Sequence, residues 1–265
     1  MADDRDVVIV EGVRTPFAKA DTKLKTVHPA ELGRVALKEL IARTNLDVNV
    51  VDEVIVGNTG TPSDAVNISR VVALNAGIPQ KTSAFTVHRN CASALESIST
   101  GFERIKSGTM DCVVAGGTES MSQMPLIMSK AFVDIIARLG SAKTPVQQLS
   151  ALGSLLKADL KQVMEMVTTS PMQATAHKPR IAILEGLTDP FVGINMGQTA
   201  ELVAKEFHLS RQEQDAFALR SHQKASAAMK NGVFAAEITP VYIPPKYKEV
   251  VTEDIEPLAE QTMQP

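Results

Sequence analysis

The chain has 265 residues, of which 44% are hydrophobic and 22% charged, and its formal net charge is −3. This balance is typical of a globular protein with one large domain or two moderate ones. The composition argues against nucleic-acid binding and membrane-spanning proteins, because there is no Lys/Arg block, aromatic residues are only 4%, and no apolar run could cross a bilayer.

Strands alternate with helices over the first 120 or so residues. Helices are predicted from apolar residues at helical spacing in PAELGRVALKELIARTNL, NISRVVALNAGIP and CASALESISTGFERIKSG, the last ending at Gly108. Buried strands are predicted in VVIVEGVRTPF, DEVIVGNTG, SAFTVHRN and MDCVVAGG. This alternation predicts an α/β fold, with a mixed, mostly parallel sheet and helices on both faces.

The pattern changes near Met121, after which we predict a mainly helical insertion. KTPVQQLSALGSLLKADLKQVMEMV is typical of one or two amphipathic helices. Ser210 and Glu213 match a capping box, predicting a helix that ends near Gly232. We predict a βα half over 1–120, a second lobe over 121–250 and an exit segment over 251–265.

Cys91 lies where a predicted strand gives way to a predicted helix. The unpaired N–H groups and the dipole of a helix start favour a thiolate there, and they can also hold a developing oxyanion. The small residues Ala92, Ser93 and Ala94 leave room for a substrate. From the residues alone two interpretations stay open, a nucleophile and a small buried hydrophobe. Cys112 lies inside an apolar run, and we expect it to pack in the core.

A cysteine nucleophile needs a base, and the nearest histidine in the sequence is His88. The other histidines are scattered, and no spacing of His, Cys and acidic residues predicts a metal site. With only two cysteines there is no disulfide framework, and the acidic opening MADDRD does not resemble a signal or transit peptide. We expect a cytoplasmic location, or the mitochondrial matrix in a eukaryote.

Several segments, in order, resemble the thiolase family. TVHRNCASALESI resembles its nucleophile motif, AGGTESMS its second signature, and VEGVRTPFAKA its first strand and turn. The segment from Asn195 to Val241 resembles the part that closes the thiolase loop domain. RSHQKA and VYIPPKYK are most like the thiolase subunit of the fatty-acid β-oxidation multienzyme complex.

This resemblance implies an acyltransferase that cleaves 3-ketoacyl-CoA with coenzyme A in fatty-acid β-oxidation. Cys91 would carry the acyl group, and its own backbone N–H would supply part of an oxyanion hole. Asn195 and Met196 would line the CoA groove, although many thiolases have His where this chain has Asn195. No cofactor is implied beyond CoA and acyl-CoA as substrates. The implied partners are a second copy, in a homodimer, and a β-oxidation hydratase/dehydrogenase subunit.

The resemblance also implies a second βα half, which this sequence does not contain. Its Asn/His-Glu-Ala-Phe-type, Gly-His-Pro and Cys-x-Gly-Gly motifs, which supply acid–base groups, are absent. In the family fold the Cys91 helix lies between two sheets, so here we expect its apolar face to meet water. That face carries Leu95, Ile98, Phe102 and Ile105. We expect this chain alone not to turn over.

Other interpretations stay open. One is a non-catalytic CoA-binding or assembly half that pairs with another chain, and another is a biosynthetic acetoacetyl-CoA thiolase. A condensing enzyme of the ketoacyl-synthase kind is disfavoured by VRTPF, GGTESM and the helical insertion. The segment Phe132–Val167 is interpreted as a lid over the acyl pocket, with membrane contact as the alternative.

Overall fold

The computed structural model describes residues 5–128, 130–150, 153–154 and 180–255. The chain forms two compact units, the first comprising Met1–Gln123 with Ala204–Pro265 and the second Met124–Val203. The second unit begins three residues after the boundary predicted at 121 but ends at Val203, well short of the predicted 250. The difference arises because residues after Ala204 return to the first unit, where Thr239 bonds to Arg14 through the backbone.

The first unit is built on a parallel sheet of three strands in the order β2-β1-β3. Its strands are β1 (Glu53–Gly57), β2 (Ser83–Val87) and β3 (Val113–Gly117). Gly57 is in register with Val87 and with Gly117, so all three strands end at the same edge. The predicted α/β fold with a parallel sheet is confirmed, and the residues that follow each strand meet at one edge.

Helices α1 (Pro29–Thr44) and α2 (Ile68–Ala76) cover one face of this sheet. They form near their predicted positions because His28 and Asn67 cap their first turns and Gly77, at φ 99°, ends α2. The main hydrophobic core lies beneath them and consists of Ala30, Leu37, Val51, Val54, Val56, Ala65, Ile68, Val72, Ala73 and Ile78.

Helix α3 (Ser93–Lys106) lies on the opposite face, which Ile55 and Gly57 share by strand alternation. Its buried residues are small, namely Ser93, Ser97 and Gly101. The Ser97 hydroxyl donates to the carbonyl oxygen of Gly116 at 2.7 Å. The helix ends at Lys106, with Ser107 as its C-cap and Gly108 after it at φ 73°, so the predicted stop at Gly108 is confirmed.

The large apolar residues of α3 point away from this sheet. Leu95 is 67% exposed, Ile98 45% and Phe102 50%. The expectation that this face meets water in the present chain is confirmed for these three residues. An apolar face of this kind is typical of a helix that packs on two layers.

The first predicted strand, in VVIVEGVRTPF, is wrong. Val8, Ile9 and Val10 are 73%, 87% and 82% exposed, and residues 7–10 belong to no strand. A β-strand is stabilised when its N–H and C=O groups pair with a neighbour, and no described strand lies beside this run.

The second unit has short described elements. Leu126–Ile127 pairs antiparallel with Arg180–Ile181, and helices span Lys130–Ser141, Ala182–Gly186 and Met196–Glu206. Residues 145–150 are helical at the start of the predicted insertion helices, whereas most of that predicted stretch lies outside the described residues. The described part of the predicted Phe132–Val167 lid, residues 132–150 and 153–154, begins in the helix Lys130–Ser141, and its role as a lid stays a prediction. Among the described helices, none is both long and apolar enough to cross a membrane.

The return segment of the first unit begins with the helix Arg211–Lys230. The predicted capping box is confirmed, because the Ser210 hydroxyl accepts the Glu213 N–H and the Glu213 carboxylate accepts the Ser210 N–H at 2.8 Å. A 3₁₀ turn, Val233–Ala236, follows this helix. Strands Val241–Tyr242 and Val250–Val251 then pair antiparallel and contribute to a second small core with Leu24, Val27 and Leu32.

Arg14 fastens this return segment to the start of the chain. Its two terminal nitrogens donate to the Asp254 carboxylate at 2.6 and 2.8 Å, and Nε donates to Glu237 at 2.6 Å. The Phe17 N–H also donates to Asp254, at 2.7 Å. Burial alone would raise the pKa of Asp254, but the hydrogen bonds from Arg14 and Phe17 outweigh it, so the pKa of Asp254 is lowered.

Replacing Asp254 should test this contact through its pH dependence. Because the pKa of Asp254 is lowered in the folded state, its contribution is present above the unfolded value near about 3.9 and is lost as the pH falls through the folded pKa. We expect Asp254→Asn to lower the free energy of unfolding by about 3 kcal/mol at pH 7, since Arg14 loses its buried partner. The difference from wild type should shrink below about pH 4.

Urea unfolding of both proteins between pH 3 and pH 7 measures this difference. Asp215→Asn is the control, since it removes an exposed helix pair with Arg211, and it should change stability little. A constant gap between wild type and Asp254→Asn across the pH range would contradict the assignment.

Candidate active site

Cys91 is exposed in the turn that joins β2 to α3. The helix begins at Ser93 with Ala92 as its N-cap, so the cysteine lies one residue before the cap rather than at the helix start. Asn90, directly before it, has φ 47°, a left-handed conformation that Asn tolerates better than most residues. The exposure of Cys91 argues against the buried-hydrophobe interpretation.

Hydrogen bonds within the turn fix its shape. The Ser93 hydroxyl accepts the Arg89 N–H at 2.9 Å and donates to the Asn90 carbonyl at 2.6 Å. The Ala92 N–H donates to the Arg89 carbonyl, and the Ser93 N–H donates to the Asn90 carbonyl at 3.1 Å. The Ser93 side chain therefore bridges Arg89 and Asn90 and stabilises the turn that contains Cys91.

The N–H groups of Cys91 and Ala94 remain open at this helix start. Within the part of the chain that the structure describes, neither donates to a protein acceptor. Unpaired amides at a helix N-terminus favour negative charge. The arrangement can therefore accept an anion, such as a thiolate or an oxyanion, beside the sulfur.

Two strand-end glycines let the first turn of α3 approach the sheet closely. A Cβ at Gly57 would lie 2.3 Å from the Ser93 carbonyl carbon and 2.6 Å from the Ala94 nitrogen. A Cβ at Gly117 would lie 2.6 Å from the Ala94 Cβ. The location of the Cys91 turn thus depends on the absence of side chains at both positions, a role that the sequence patterns did not reveal.

The loops after the three strands are joined by polar side chains that sequence reasoning also missed. The Glu119 carboxylate accepts the backbone N–H of Thr59 at 2.7 Å and of Gly60 at 3.3 Å, and the Asn58 amide at 3.1 Å. The Thr59 hydroxyl in turn donates to the carbonyl of Asn90 at 3.0 Å. Both segments were recognisable as VGNTG and AGGTESMS, but their contacts become visible only in three dimensions.

His88, the nearest histidine in sequence, is engaged in the same turn. Its Nδ1 accepts the Asn90 N–H at 3.4 Å, a long hydrogen bond on an exposed ring. No described contact joins the His88 ring to the Cys91 sulfur. These contacts do not assign His88 the role of base.

Cys112 contrasts with Cys91. It is partly buried and packs against the main core, as expected. Burial raises the pKa of its thiol, and the nearby negative charge of Asp52 adds to the shift. These surroundings disfavour a thiolate, so Cys112 is suited to packing rather than to nucleophilic attack.

Asn195 and Met196 start the helix Met196–Glu206 in the second compact unit. The Asn195 side-chain oxygen accepts the Gln198 N–H at 2.9 Å, and the Gln198 side chain accepts the Asn195 N–H at 2.9 Å. Asn195 therefore caps its own helix, while Met196 is 46% exposed. Cys91 belongs to the first unit, and the CoA-groove role of this pair stays a prediction.

The described residues contain no group of three or more His, Cys, Asp or Glu that could hold a metal ion. The candidate site consists of Cys91, the open amides beside it and the polar loops that hold its turn. This arrangement suits attack of a thiolate on a carbonyl carbon.

Comparison with known proteins adds independent information. The family model described as "Thiolase, N-terminal domain" matches residues 7–265. The chain is 33% identical over 248 residues to proteins named 3-ketoacyl-CoA thiolase from Yersinia pestis (strain Pestoides F) and Yersinia pseudotuberculosis serotype O:3 (strain YPIII). The match covers 94% of this chain and 52% of each relative, so the chain spans about half the length of the curated relatives it matches.

A solved structure shares the fold. The crystal structure of the Bacillus anthracis acetyl-CoA acetyltransferase matches with a TM-score of 0.76 and 30% identity. That match covers 96% of this chain and 56% of the other.

Adding a methyl group at the strand-end glycines should displace the Cys91 turn. We expect Gly117→Ala to lower the free energy of unfolding by about 1–3 kcal/mol, because the new Cβ would overlap Ala94. Gly57→Ala should do so as well, because there the clash is with backbone. Gly116→Ala is a matched control, since nothing lies within 4 Å of a Cβ at that neighbouring position.

Urea unfolding midpoints of the three variants measure this effect. Equal midpoints for Gly116→Ala and Gly117→Ala would show that the close approach of α3 is not a constraint on the fold.

Proposed function

We propose, because the chain belongs to the thiolase family, that it carries the nucleophile of 3-ketoacyl-CoA thiolysis, with Cys91 as the acyl carrier. The observation that carries this proposal is an exposed thiol beside unpaired amide N–H groups at the start of α3. The names of the relatives, 3-ketoacyl-CoA thiolase and acetyl-CoA acetyltransferase, support an acyl transfer between CoA thioesters.

In the proposed reaction the Cys91 thiolate attacks the 3-keto carbonyl carbon of a 3-ketoacyl-CoA. The carbonyl oxygen gains negative charge and is held by the N–H of Cys91. The bond between C2 and C3 then breaks, acetyl-CoA leaves as an enolate that takes up a proton, and the shortened acyl group stays on sulfur. The thiol of a free CoA loses its proton, attacks this thioester and regenerates Cys91.

Asn195 and Met196 are proposed to contact CoA, with the Asn195 amide in the place that many thiolases give to His. CoA and acyl-CoA are the only small molecules that the proposal requires. The pathway is proposed to be fatty-acid β-oxidation in the cytoplasm, with a homodimer and a hydratase/dehydrogenase subunit as the assembly. The alternative is the biosynthetic direction, which joins two acetyl-CoA molecules. The name of the Bacillus anthracis structure, acetyl-CoA acetyltransferase, supports this alternative.

A second candidate function follows from the uncovered face of α3. Leu95, Ile98 and Phe102 are 45–67% exposed, as expected for a helix whose outer face packs against a second sheet in the complete fold. We therefore also propose that the Cys91 site works only together with a second βα half, which supplies the acid–base motifs absent from this sequence. In that form the chain is one half of an enzyme, supplying the nucleophile.

Acetyl-CoA should leave a covalent acetyl group on Cys91, since this is the first half of the condensation direction. Peptide mass spectrometry after incubation of the chain with acetyl-CoA locates the adduct. We expect the acetyl group on the Cys91 peptide and none on the Cys112 peptide, because burial disfavours the Cys112 thiolate. Cys91→Ala is the control, and acetylation that persists in this variant would refute the assignment of the acyl carrier.

The chain of 265 residues should not turn over acetoacetyl-CoA and CoA. General acid–base groups contribute about 10²–10⁴-fold, and residues that act as a unit fail together. A steady-state assay of the purified chain, with a complete thiolase as the positive control, measures this. Ordinary thiolase turnover by the chain alone would refute the half-enzyme proposal while leaving Cys91 as its nucleophile.

A further inference from the structure

The Asn90–Cys91 peptide carries the amide that is proposed to hold the oxyanion. A peptide unit is planar and trans, so the carbonyl of Asn90 and the N–H of Cys91 point in opposite directions from the same plane. Whatever fixes the Asn90 carbonyl therefore also aims the Cys91 N–H. That carbonyl accepts the Thr59 hydroxyl from another loop at 3.0 Å, in addition to its bonds within the turn from Ser93.

We infer that Thr59 and Glu119 are positioning residues for Cys91, an inference that rests on the proposed role of Cys91 as acyl carrier. Thr59 fixes the Asn90–Cys91 peptide through its hydroxyl, and the Glu119 carboxylate fixes Thr59 through its backbone N–H. We refer to these two contacts as the Glu119–Thr59 brace. Neither side chain is placed in contact with substrate.

Glu119 is held in a geometry that suits this role. One carboxylate oxygen accepts both the Thr59 and Gly60 N–H groups, at 2.7 and 3.3 Å, and the other accepts the Asn58 amide at 3.1 Å. Hydrogen bonds to an ionised carboxylate are stronger than neutral ones, so the loop after β1 is tied firmly to the loop after β3.

Asn58 makes this arrangement selective for a carboxylate. It is 2% exposed, and its amide nitrogen also donates to the Thr118 carbonyl at 2.8 Å. Its side-chain oxygen accepts the Thr61 N–H at 2.8 Å, so the amide cannot reverse without losing both bonds. In Glu119→Gln the new amide group would face either the Asn58 amide or the Thr59 N–H, so one of the hydrogen bonds that the Glu119 carboxylate accepts is lost.

The brace helps to keep Asn90 in an uncommon backbone conformation. Asn90 has φ 47°, a conformation in which non-glycine residues are uncommon and that persists where surrounding contacts impose it. Two hydrogen bonds to the Asn90 carbonyl help to impose this conformation, one from the Ser93 hydroxyl within the turn and one from the Thr59 hydroxyl in a different loop. The contact from Thr59 links the direction of the Cys91 N–H to the loop after β1.

A purely structural role and a positioning role make opposite predictions for the reactivity of Cys91. A loosened turn would make the already exposed sulfur easier to reach and speed its alkylation at every pH. Loss of the brace would instead turn the Cys91 N–H away from the sulfur and remove its stabilisation of negative charge there, which slows alkylation.

The test measures iodoacetamide alkylation of the chain from pH 6 to pH 10 by peptide mass spectrometry, with Cys112 as a reference thiol in the same molecule. The variants are Thr59→Val, Thr59→Ser and Glu119→Gln. Thr109→Val is the matched control, because the Thr109 hydroxyl donates to the Arg104 carbonyl at the far end of α3, at 2.9 Å.

We expect Thr59→Val and Glu119→Gln to slow Cys91 by roughly three- to tenfold at pH 7, the scale of one lost hydrogen bond. Thr59→Ser should restore the wild-type profile, and Thr109→Val should leave it unchanged. Cys112 should react alike throughout.

The inference is overturned if Thr59→Val leaves the Cys91 profile unchanged or speeds it, or if Thr59→Ser is as slow as Thr59→Val. It is also overturned if Glu119→Gln speeds Cys91 while Cys112 stays constant. If Glu119→Gln also speeds the alkylation of Cys112, the fold of that variant is loosened. The rates of Thr59→Val and Thr59→Ser then decide whether the inference holds. Iodoacetamide needs no CoA site, so a failure of the brace and a failure of acetyl transfer are separate results.

Discussion

The close approach of α3 to the sheet is the constraint on which the rest of the site depends. It is possible because β1 and β3 end in glycine, and a Cβ at Gly57 would lie 2.3 Å from the Ser93 carbonyl carbon. Because the first turn of α3 packs directly against the ends of β1 and β3, the Cys91 turn lies beside the loops that follow these strands. The hydrogen bond from Thr59 to Asn90 and the open amide of Cys91 both follow from that placement.

The same approach explains why α3 has two unlike faces. Only small residues fit against the sheet, so the buried positions are Ser93, Ser97 and Gly101. The large apolar residues are left for the other side, where Phe102 is 50% exposed. Burial of apolar surface stabilises a fold by about 25 cal/mol per Å², so a second layer over this face would add substantially to stability. The half-enzyme proposal therefore has a stability argument beside the catalytic one.

Much of the fold could be predicted from sequence because its signals are local. Apolar spacing located α1, α2 and α3, a capping box located Ser210, and strand alternation indicated a parallel sheet. The run Val8–Val10 failed because a strand also needs a neighbour, which composition does not report. For the site, the strand–turn–helix pattern indicated Cys91. The Glu119–Thr59 brace could not be predicted, because Glu119 is 60 residues from Thr59 and Thr59 is 31 residues from Asn90. Both contacts also use backbone groups, which carry no sequence signal.

In the proposed reaction the open amide of Cys91 holds the oxygen of the acyl group on its sulfur. The most direct measurement is a crystal structure of the chain after reaction with acetyl-CoA. We expect a thioester on Cys91 whose carbonyl oxygen lies about 3 Å from the Cys91 backbone nitrogen. A thioester whose oxygen points into solvent, away from the helix start, would contradict it.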